Sequence, residues 1–467
     1  MLILAICCMS ILLVSLDLTI LNVALPSIQR DLHASIAGAQ WTIDAYTLVL
    51  ASLLLLAGST ADRVGRRRVF LIGLVVFTLG SLLCSLAPSL GALIAARMLQ
   101  ALGGCMLNPV ALSIISNTFT EGKERARAIG AWSGVVGISI ASGPIIGGAL
   151  VETAGWRAVF WINIPIGITA VVLTHLFVPE SKAAKARRSD PVGQVLIIGF
   201  LAALLYGIIE GPDLGWGGPV TIGCFVVSLM CLLGLLRYEL DRADPLLELR
   251  FFRSAPFSGA SIVAVSAFAA LGGFLFLNTL YLQDVRGYSA LRAGLFLLPM
   301  AVAMFVLGPV SGYLVGKKGP RLSLVTGGIS LALAAVLFAS WGSRLPDDRL
   351  FVGYAFIGIG LGMMNAAITN TAVSGMPRSQ SGVASATTST TRQIGQSLGV
   401  AVVGSILASG ARRITPGPAF NNGAHLIWLV ILGWGVAVLV VAIVTTGKWG
   451  QATAARTVAL LEPNGDE

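Results

Sequence analysis

Apolar residues run in long, nearly unbroken stretches along this chain, and polar residues collect in the short gaps between them. Fourteen such stretches can be marked, at 2–25, 40–61, 69–87, 90–118, 126–150, 158–178, 192–210, 218–236, 256–282, 291–315, 322–341, 349–372, 383–409 and 424–446. Most have about the 20 residues that carry an α-helix across the hydrocarbon core of a bilayer. A backbone in lipid must satisfy its own hydrogen bonds, so apolar runs of this length predict membrane-spanning helices. The first run lacks a basic leader and a small-residue cleavage site and holds Asp17 and Asn22, so it reads as a span and not a cleaved signal. Met1 already sits in apolar sequence, which leaves room for a short cytoplasmic leader missing from the chain.

Composition agrees with the pattern. Of the 467 residues, 56% are hydrophobic and 11% charged, against roughly 45–50% and about 25% in soluble domains. A water-soluble fold and a disordered chain are both excluded. The 55 glycines suit helices that approach closely in lipid. Cys7, Cys8, Cys84, Cys105, Cys224 and Cys231 all fall inside apolar runs and read as small buried hydrophobes. A net charge of +10 does not point to nucleic acid, because a basic recognition face needs a water-exposed fold to carry it.

The basic residues instead set orientation. Twenty-one of the 31 lie on one set of alternate connectors and in the tail: Arg63, Arg66, Arg67, Arg68, Lys123, Arg125, Arg127, Lys182, Lys185, Arg187, Arg188, Arg237, Arg242, Arg250, Arg253, Lys317, Lys318, Arg321, Arg378, Lys448 and Arg456. The other set holds eight, namely Arg30, Arg157, Arg286, Arg292, Arg344, Arg349, Arg412 and Arg413. The positive-inside rule makes the first set cytoplasmic, with both termini inside and an even number of spans.

An internal repeat fixes the plan. Gly58-Ser-Thr-Ala-Asp62-Arg63-Val-Gly65-Arg66-Arg67-Arg68 closes the second stretch, and a weaker copy, Gly312-Tyr-Leu-Val-Gly316-Lys317-Lys318-Gly319-Pro320-Arg321, closes the tenth, 254 positions later. Two six-helix halves in direct succession place such copies about 190–200 apart, and the excess equals the two helices at 192–236. The chain therefore divides into a six-helix bundle over 1–180, a basic linker with two inserted spans over 181–254, a second six-helix bundle over 255–446 and a cytoplasmic tail over 447–467.

Gly58, Asp62, Arg63, Gly65, Arg66 and Arg67 match the pattern G-x-x-x-D-R-x-G-R-R and so resemble the signature loop of the major facilitator superfamily. Glycines let two helices close around a short turn, and Asp62 suits the positive end of a neighbouring helix. The resemblance implies a latch holding the cytoplasmic side shut. Asp17, in the run Leu16-Asp17-Leu18-Thr19-Ile20-Leu21-Asn22-Val23-Ala24-Leu25-Pro26, resembles the first span of fourteen-helix drug:proton antiporters. An ionised carboxylate at that depth costs several kcal/mol unless paired or hydrated, which makes it a proton-carrier candidate, the alternative being a hydrogen-bonded packing role.

Other motifs of the same family follow. Trp41, Asp44 and Tyr46 lie near the outer end of the second stretch, where Trp41 and Asp44, three apart, share a face that suits a cationic or lipophilic substrate. An interfacial aromatic belt with a snorkelling acid explains the same pair. Arg97-Met-Leu-Gln100-Ala101 is similar to the family pattern R-x-x-Q-G, with Ala101 where glycine is usual, a departure that bears on how closely helices approach. Arginine stays protonated, so Arg97 reads as the partner that biases a nearby carboxylate. Gly134, Gly137, Gly143, Pro144, Gly147 and Gly148 resemble the G-x-x-x-G-P-x-x-G-G motif of exporters, where glycines make a smooth groove and Pro144 bends the helix.

The thirteenth stretch, with Thr387, Thr388, Thr391, Arg392, Gln393 and Gln396, suits either a wet cavity wall or interhelical glue. Asn278, Tyr281, Gln283, Asn365 and Asn370 are further cavity candidates. Some relatives carry an acidic residue in the tenth or thirteenth span, and this chain does not, which implies few intramembrane cation sites.

No phosphate-binding loop, metal cluster or catalytic constellation is readable; His33, His175 and His425 are far apart in sequence. The segment 244–253 alternates apolar and charged residues and suits the inner membrane surface. The expectation is an all-α membrane protein of 14 transmembrane helices, not an enzyme and without cofactor or metal. The resemblance implies a monomeric bacterial inner-membrane antiporter exchanging protons for drugs or other lipophilic or cationic molecules. The alternatives are an exporter of one endogenous metabolite or antibiotic and a solute:proton symporter.

Overall fold

The computed structural model describes residues 1–119, 121–182, 190–242, 245, 247–339, 345–374, 376, 380–410 and 418–461. Among these residues there is no strand, and the apolar stretches form the helices α1 (Leu2–Asp31), α2 (Ile36–Val64), α3 (Arg66–Ser85), α4 (Leu90–Thr118), α5 (Gly122–Ala154), α6 (Ala158–Trp161), α7 (Asn163–Phe177), α8 (Pro191–Leu214), α9 (Pro219–Leu240), α10 (Ala255–Leu280), α11 (Ala290–Phe296), α12 (Leu298–Lys318), α13 (Arg321–Ala339), α14 (Asp347–Val373), α15 (Ser381–Gly410), α16 (Pro418–Thr445) and α17 (Lys448–Leu461). Lys185, Arg187, Arg188, Asp244, Arg344, Arg378, Arg412 and Arg413 lie outside the described residues.

Local chemistry sets several helix ends. Ser35, Ser89 and Asp190 each accept a hydrogen bond from a first-turn backbone N–H, of Gly38, Ala92 and Gly193 respectively. Pro191 then opens α8, where its missing N–H is no loss. One apolar stretch, 158–178, divides into α6 and α7 at Ile162. Pro165 lies just beyond the break and has no N–H to give back to Trp161.

Thirteen helical segments among the described residues are long and apolar enough to cross a membrane. The expected fourteenth, α15, is 30 residues long and is not among them; Arg392, Gln393 and Gln396 interrupt its apolar sequence. α9 exposes Val220, Ile222, Val226, Leu229, Met230 and Leu233, an apolar surface that suits lipid.

The chain forms two compact units. The first comprises Met1–Leu235, Arg242–Leu246 and Thr279–Leu295; the second comprises Leu236–Asp241, Leu247–Asn278 and Phe296–Glu467. Most of the inserted pair α8–α9, read from the sequence as a segment of its own, thus belongs to the first unit. Gln194 of α8 donates to the Ser52 carbonyl of α2 at 2.5 Å. The core of the first unit gathers Tyr46, Phe70, Phe77, Leu107 and Val110. In the second unit Phe251, Phe257, Ala260, Ala372 and Ala384 form a buried cluster.

The glycine-rich loop and its weaker copy both end a helix on a glycine with positive φ. Gly65 ends α2 with φ +130°, and Gly319, 254 positions on, ends α12 with φ +77°. Both conformations favour glycine. The tail also forms structure: α17 packs beside the short helix Leu249–Arg253, and Thr453 accepts a hydrogen bond from the Ala255 N–H at 3.0 Å.

Candidate functional site

Five helices of the first unit converge on Asp17. Its Oδ2 lies 2.5 Å from the Arg97 guanidinium, and both side chains are 1% exposed. Oδ1 accepts from Gln100 Nε2 at 2.8 Å and from Asn163 Nδ2 at 3.1 Å. Gln100 and Asn163 in turn donate to Ser81 Oγ at 2.8 and 3.4 Å. Arg97 donates to Gln100 Oε1 at 2.6 Å and to the Thr42 carbonyl at 3.3 Å, while its guanidinium carbon lies 4.1 Å from the centre of the Tyr46 ring. Each of these contacts to the carboxylate comes from a donor, an arrangement that suits its ionised form.

Helix geometry explains the convergence. Arg97 and Gln100 are three apart on α4 and share a face. Ser81 reaches Gln100 because Gly80 lets α3 touch α4; a Cβ built on Gly80 would lie 2.5 Å from Gln100 Cα. Gly103 likewise approaches the Phe77 backbone. The alanine at 101 is fully buried and does not hold the two helices apart, because the close approach falls on these neighbouring glycines. Asn163 sits at the start of α7, where the break after α6 turns it inward to Asp17.

Sequence reading picked out Asp17, Arg97, Gln100 and Tyr46, and the structure brings them together. It did not single out Asn163, although that residue is the sole amide in the stretch 158–178. Ser81 and the Thr42 carbonyl gave no signal, since hydroxyls and carbonyls are everywhere. Other candidates lie elsewhere. Asn22 donates to the Leu18 carbonyl of its own helix. Trp41 directs its indole N–H to Glu210 of α8 at 2.7 Å and sets its ring 6.0 Å from Tyr206. Asp44 is fully buried, not snorkelling, with Thr47 Oγ1 3.4 Å from its carboxylate.

The loop after α2 is built around a residue that sequence reading missed. Glu180, just past α7, accepts from the backbone N–H groups of Arg67 at 3.1 Å and Ser181 at 3.0 Å. Its carboxylate sits against Gly65, where a Cβ would come within 2.7 Å of it. Arg67 reaches the His175 carbonyl at 2.5 Å, and the Arg66 N–H donates to the Ser181 carbonyl at 2.9 Å. Asp62 takes the Arg66 side chain at 2.9 Å. Arg63 turns back to the Ser59 carbonyl, and a Cβ built on Gly58 would lie 3.6 Å from Pro109 Cβ of α4.

The glycine motif of α5 divides. Gly143 abuts Thr19, and a Cβ on Gly147 would lie 2.7 Å from Ile20 Cγ1, so α5 and α1 touch directly behind Asp17. Gly148 meets the backbone of Ala290 and Leu291, and the Pro144 carbonyl faces Gly294. A Cβ built on Gly134 or Gly137 would meet no other part of the protein within 4 Å among the described residues.

In the second unit, Asn278 accepts a hydrogen bond from Tyr354 beside a ring cluster in which Phe338 stacks on Trp428 at 4.4 Å. Arg392 of α15 donates to Thr369 Oγ1 at 2.6 Å and to the Asn365 carbonyl at 3.1 Å. Gln396 lies along Gly272, and Gln393 Oε1 is buried without a hydrogen-bond partner among the described residues. Tyr281 belongs to the first unit, where its hydroxyl accepts from Arg286 at 3.3 Å. Among the described residues no group of three or more His, Cys, Asp or Glu residues is placed to hold a metal ion.

A family model described as Major Facilitator Superfamily matches residues 7–400. The chain is 37% identical over 397 residues to the multidrug resistance protein Stp of Mycobacterium tuberculosis, covering 85% of this chain and 74% of that protein. It is 39% identical over 413 residues to the tetracenomycin C resistance and export protein of Streptomyces glaucescens, covering 87% and 76%. It is 31% identical over 430 residues to the methylenomycin A resistance protein of Bacillus subtilis, covering 90% and 92%. Among solved structures, a bacterial homologue of the human lysosomal transporter Spinster shares the fold at TM-score 0.66 and 18% identity, covering 98% of this chain and 97% of that one. A POT family transporter does so at TM-score 0.69 and 14% identity, covering 94% of each.

Proposed function

The chain belongs to the Major Facilitator Superfamily, a membrane transporter and not an enzyme, and from that premise we propose that it exports lipophilic or cationic small molecules in exchange for protons. The observation that carries this reading is the buried pair of Asp17 and Arg97. A proton arriving on Asp17 cancels its charge and releases Arg97, which then keeps its donors but loses its anion. Breaking one side of a buried pair is worth about 3–5 kcal/mol, enough to shift the balance between two conformations. Proton uptake on one side of the membrane and substrate uptake on the other thereby alternate at one carboxylate.

The driving force is sufficient. One proton crossing 100 mV supplies about 2.3 kcal/mol, and each pH unit adds about 1.4, so a single proton sustains a gradient of tenfold or more for a neutral substrate. No cofactor is needed. α15 is the fourteenth span, both termini face the cytoplasm of a bacterial inner membrane, and the protein works as a monomer. The Asp62 and Arg66 pair, with the Glu180 joint beside it, latches the cytoplasmic side. Resistance to single antibiotics among the relatives supports a narrower form of the same activity, export of one metabolite or antibiotic.

The test is proton-driven efflux of ethidium from cells that express the protein, with and without an uncoupler. Asp17→Asn abolishes the uncoupler-sensitive efflux while the protein accumulates normally in the membrane. Undiminished efflux by that variant rejects the proton role, and co-directional movement of dye and protons favours a symporter.

A further inference from the structure

Each unit carries one arginine deep in a helix, and the two are met differently. In the first unit the charge of Arg97 is answered by Asp17. In the second, Arg392 has only neutral neighbours among the described residues: the Thr369 hydroxyl, the Asn365 carbonyl and the face of Phe268, whose ring centre lies 5.4 Å from the guanidinium carbon. Its Nε is buried with no hydrogen-bond partner among the described residues. No acidic residue occurs anywhere in α10, α12, α13, α15 or α16, and those of α14 are Asp347 and Asp348 in its first turn. Thr369 is 22 residues further along that helix, which at 1.5 Å per residue is about 33 Å, the thickness of the bilayer core.

Nearby hydroxyls do not make up the deficit. Thr388 and Thr391 hydrogen-bond back to carbonyls of their own helix, at 2.8 and 2.6 Å. A cation in a membrane helix without a counter-charge is costly. Guanidinium is suited to taking both oxygens of a carboxylate at once, and here part of its fork is unoccupied.

From this we infer that Arg392 receives an anionic oxygen, a carboxylate or phenolate, on an aromatic molecule handled by the transporter, with Phe268 as the ring surface beside it. The inference rests on the exporter reading and narrows its substrates: the second unit selects planar aromatic anions, whereas a purely cationic molecule gains nothing there.

The experiment compares binding of 9-anthracenecarboxylate and its isostere 9-anthracenecarboxamide to the purified full-length protein in nanodiscs, read by fluorescence. The wild type binds the carboxylate at least tenfold more tightly than the amide. Arg392→Gln removes that preference, and Arg392→Lys, which keeps the charge but loses the fork, retains part of it. Equal binding of the two probes by the wild type, no binding of the carboxylate, or a preference that survives in Arg392→Gln overturns the inference. Should Arg392→Gln fail to fold, the wild-type comparison and the Lys variant decide: a preference undiminished in Arg392→Lys also overturns bidentate capture. The efflux assay on Asp17→Asn reads separately, so a carboxylate preference without proton-driven efflux rejects the exporter reading, and efflux without the preference rejects this one.

Discussion

Asp17 is held by donors from two other helices, and Asn163 is the one that sequence reading passed over. The reason is physical: Asp17, Arg97 and Gln100 stood out because charged and amide groups are rare in apolar runs, and Asn163 has that same rarity but sits where a stretch breaks in two. Ser81, by contrast, becomes relevant only once α3 meets α4 at Gly80, a fact of packing that no local pattern holds. Removing the Asn163 amide leaves Asp17 Oδ1 with Gln100 alone as donor and takes one donor from Ser81. A hydrogen bond to a charged buried group is worth about 1.5–3 kcal/mol, so Asn163→Ala is expected to lower stability by that amount in thermal unfolding of the detergent-purified protein. Asn163→Asp sets a second carboxylate against the first and should cost more still. A smaller loss for the aspartate than for the alanine would show that the donor is dispensable.

The helices were legible as elements, because runs of about 20 apolar residues have one structural solution in lipid. Their contacts were not. The six-residue motif of α5 reads as one signal in the sequence, yet the structure uses it in two parts: Gly143 and Gly147 lie against α1, whereas Gly134 and Gly137 face open space among the described residues. The two parts should respond to a methyl group with opposite signs. Gly137→Ala replaces a poor helix former by the best one without a clash, a gain of up to about 1 kcal/mol. Gly147→Ala drives a Cβ to 2.7 Å from Ile20 Cγ1 and 2.8 Å from its carbonyl oxygen. The backbone of α1 or α5 must then shift, at about 1–3 kcal/mol. Thermal unfolding of the two variants side by side decides the matter, and the same sign for both would reject the division. The inserted helix α8 shows the same limit of pattern reading. Glu210, the last residue of the apolar stretch 192–210, takes the Trp41 indole N–H and ties α8 to α2.

At the scale of the molecule the glycine-rich loop and its degenerate copy, from which the sequence suggests a duplication, can be compared directly: Gly65 and Gly319 each end a helix at positive φ. What surrounds the two glycines differs. Among the described residues nothing lies within 4 Å of a Cβ built on Gly319, whereas one built on Gly65 meets the Glu180 carboxylate that also takes the Arg67 and Ser181 N–H groups. The weaker copy therefore retains the turn and has lost the joint. This difference gives separable costs. Gly319→Ala should cost only the strain of its backbone conformation, about 1–3 kcal/mol. Gly65→Ala should cost comparable strain and also displace Glu180, so it is the more damaging of the two in thermal unfolding. Adding Glu180→Ala isolates the second contribution: it relieves the clash, so its own cost should be smaller in the Gly65→Ala background than in the wild type, and unchanged in the Gly319→Ala background. Equal costs of Glu180→Ala in all three backgrounds would mean that the two loops remain equivalent and that Glu180 does not bear on the turn.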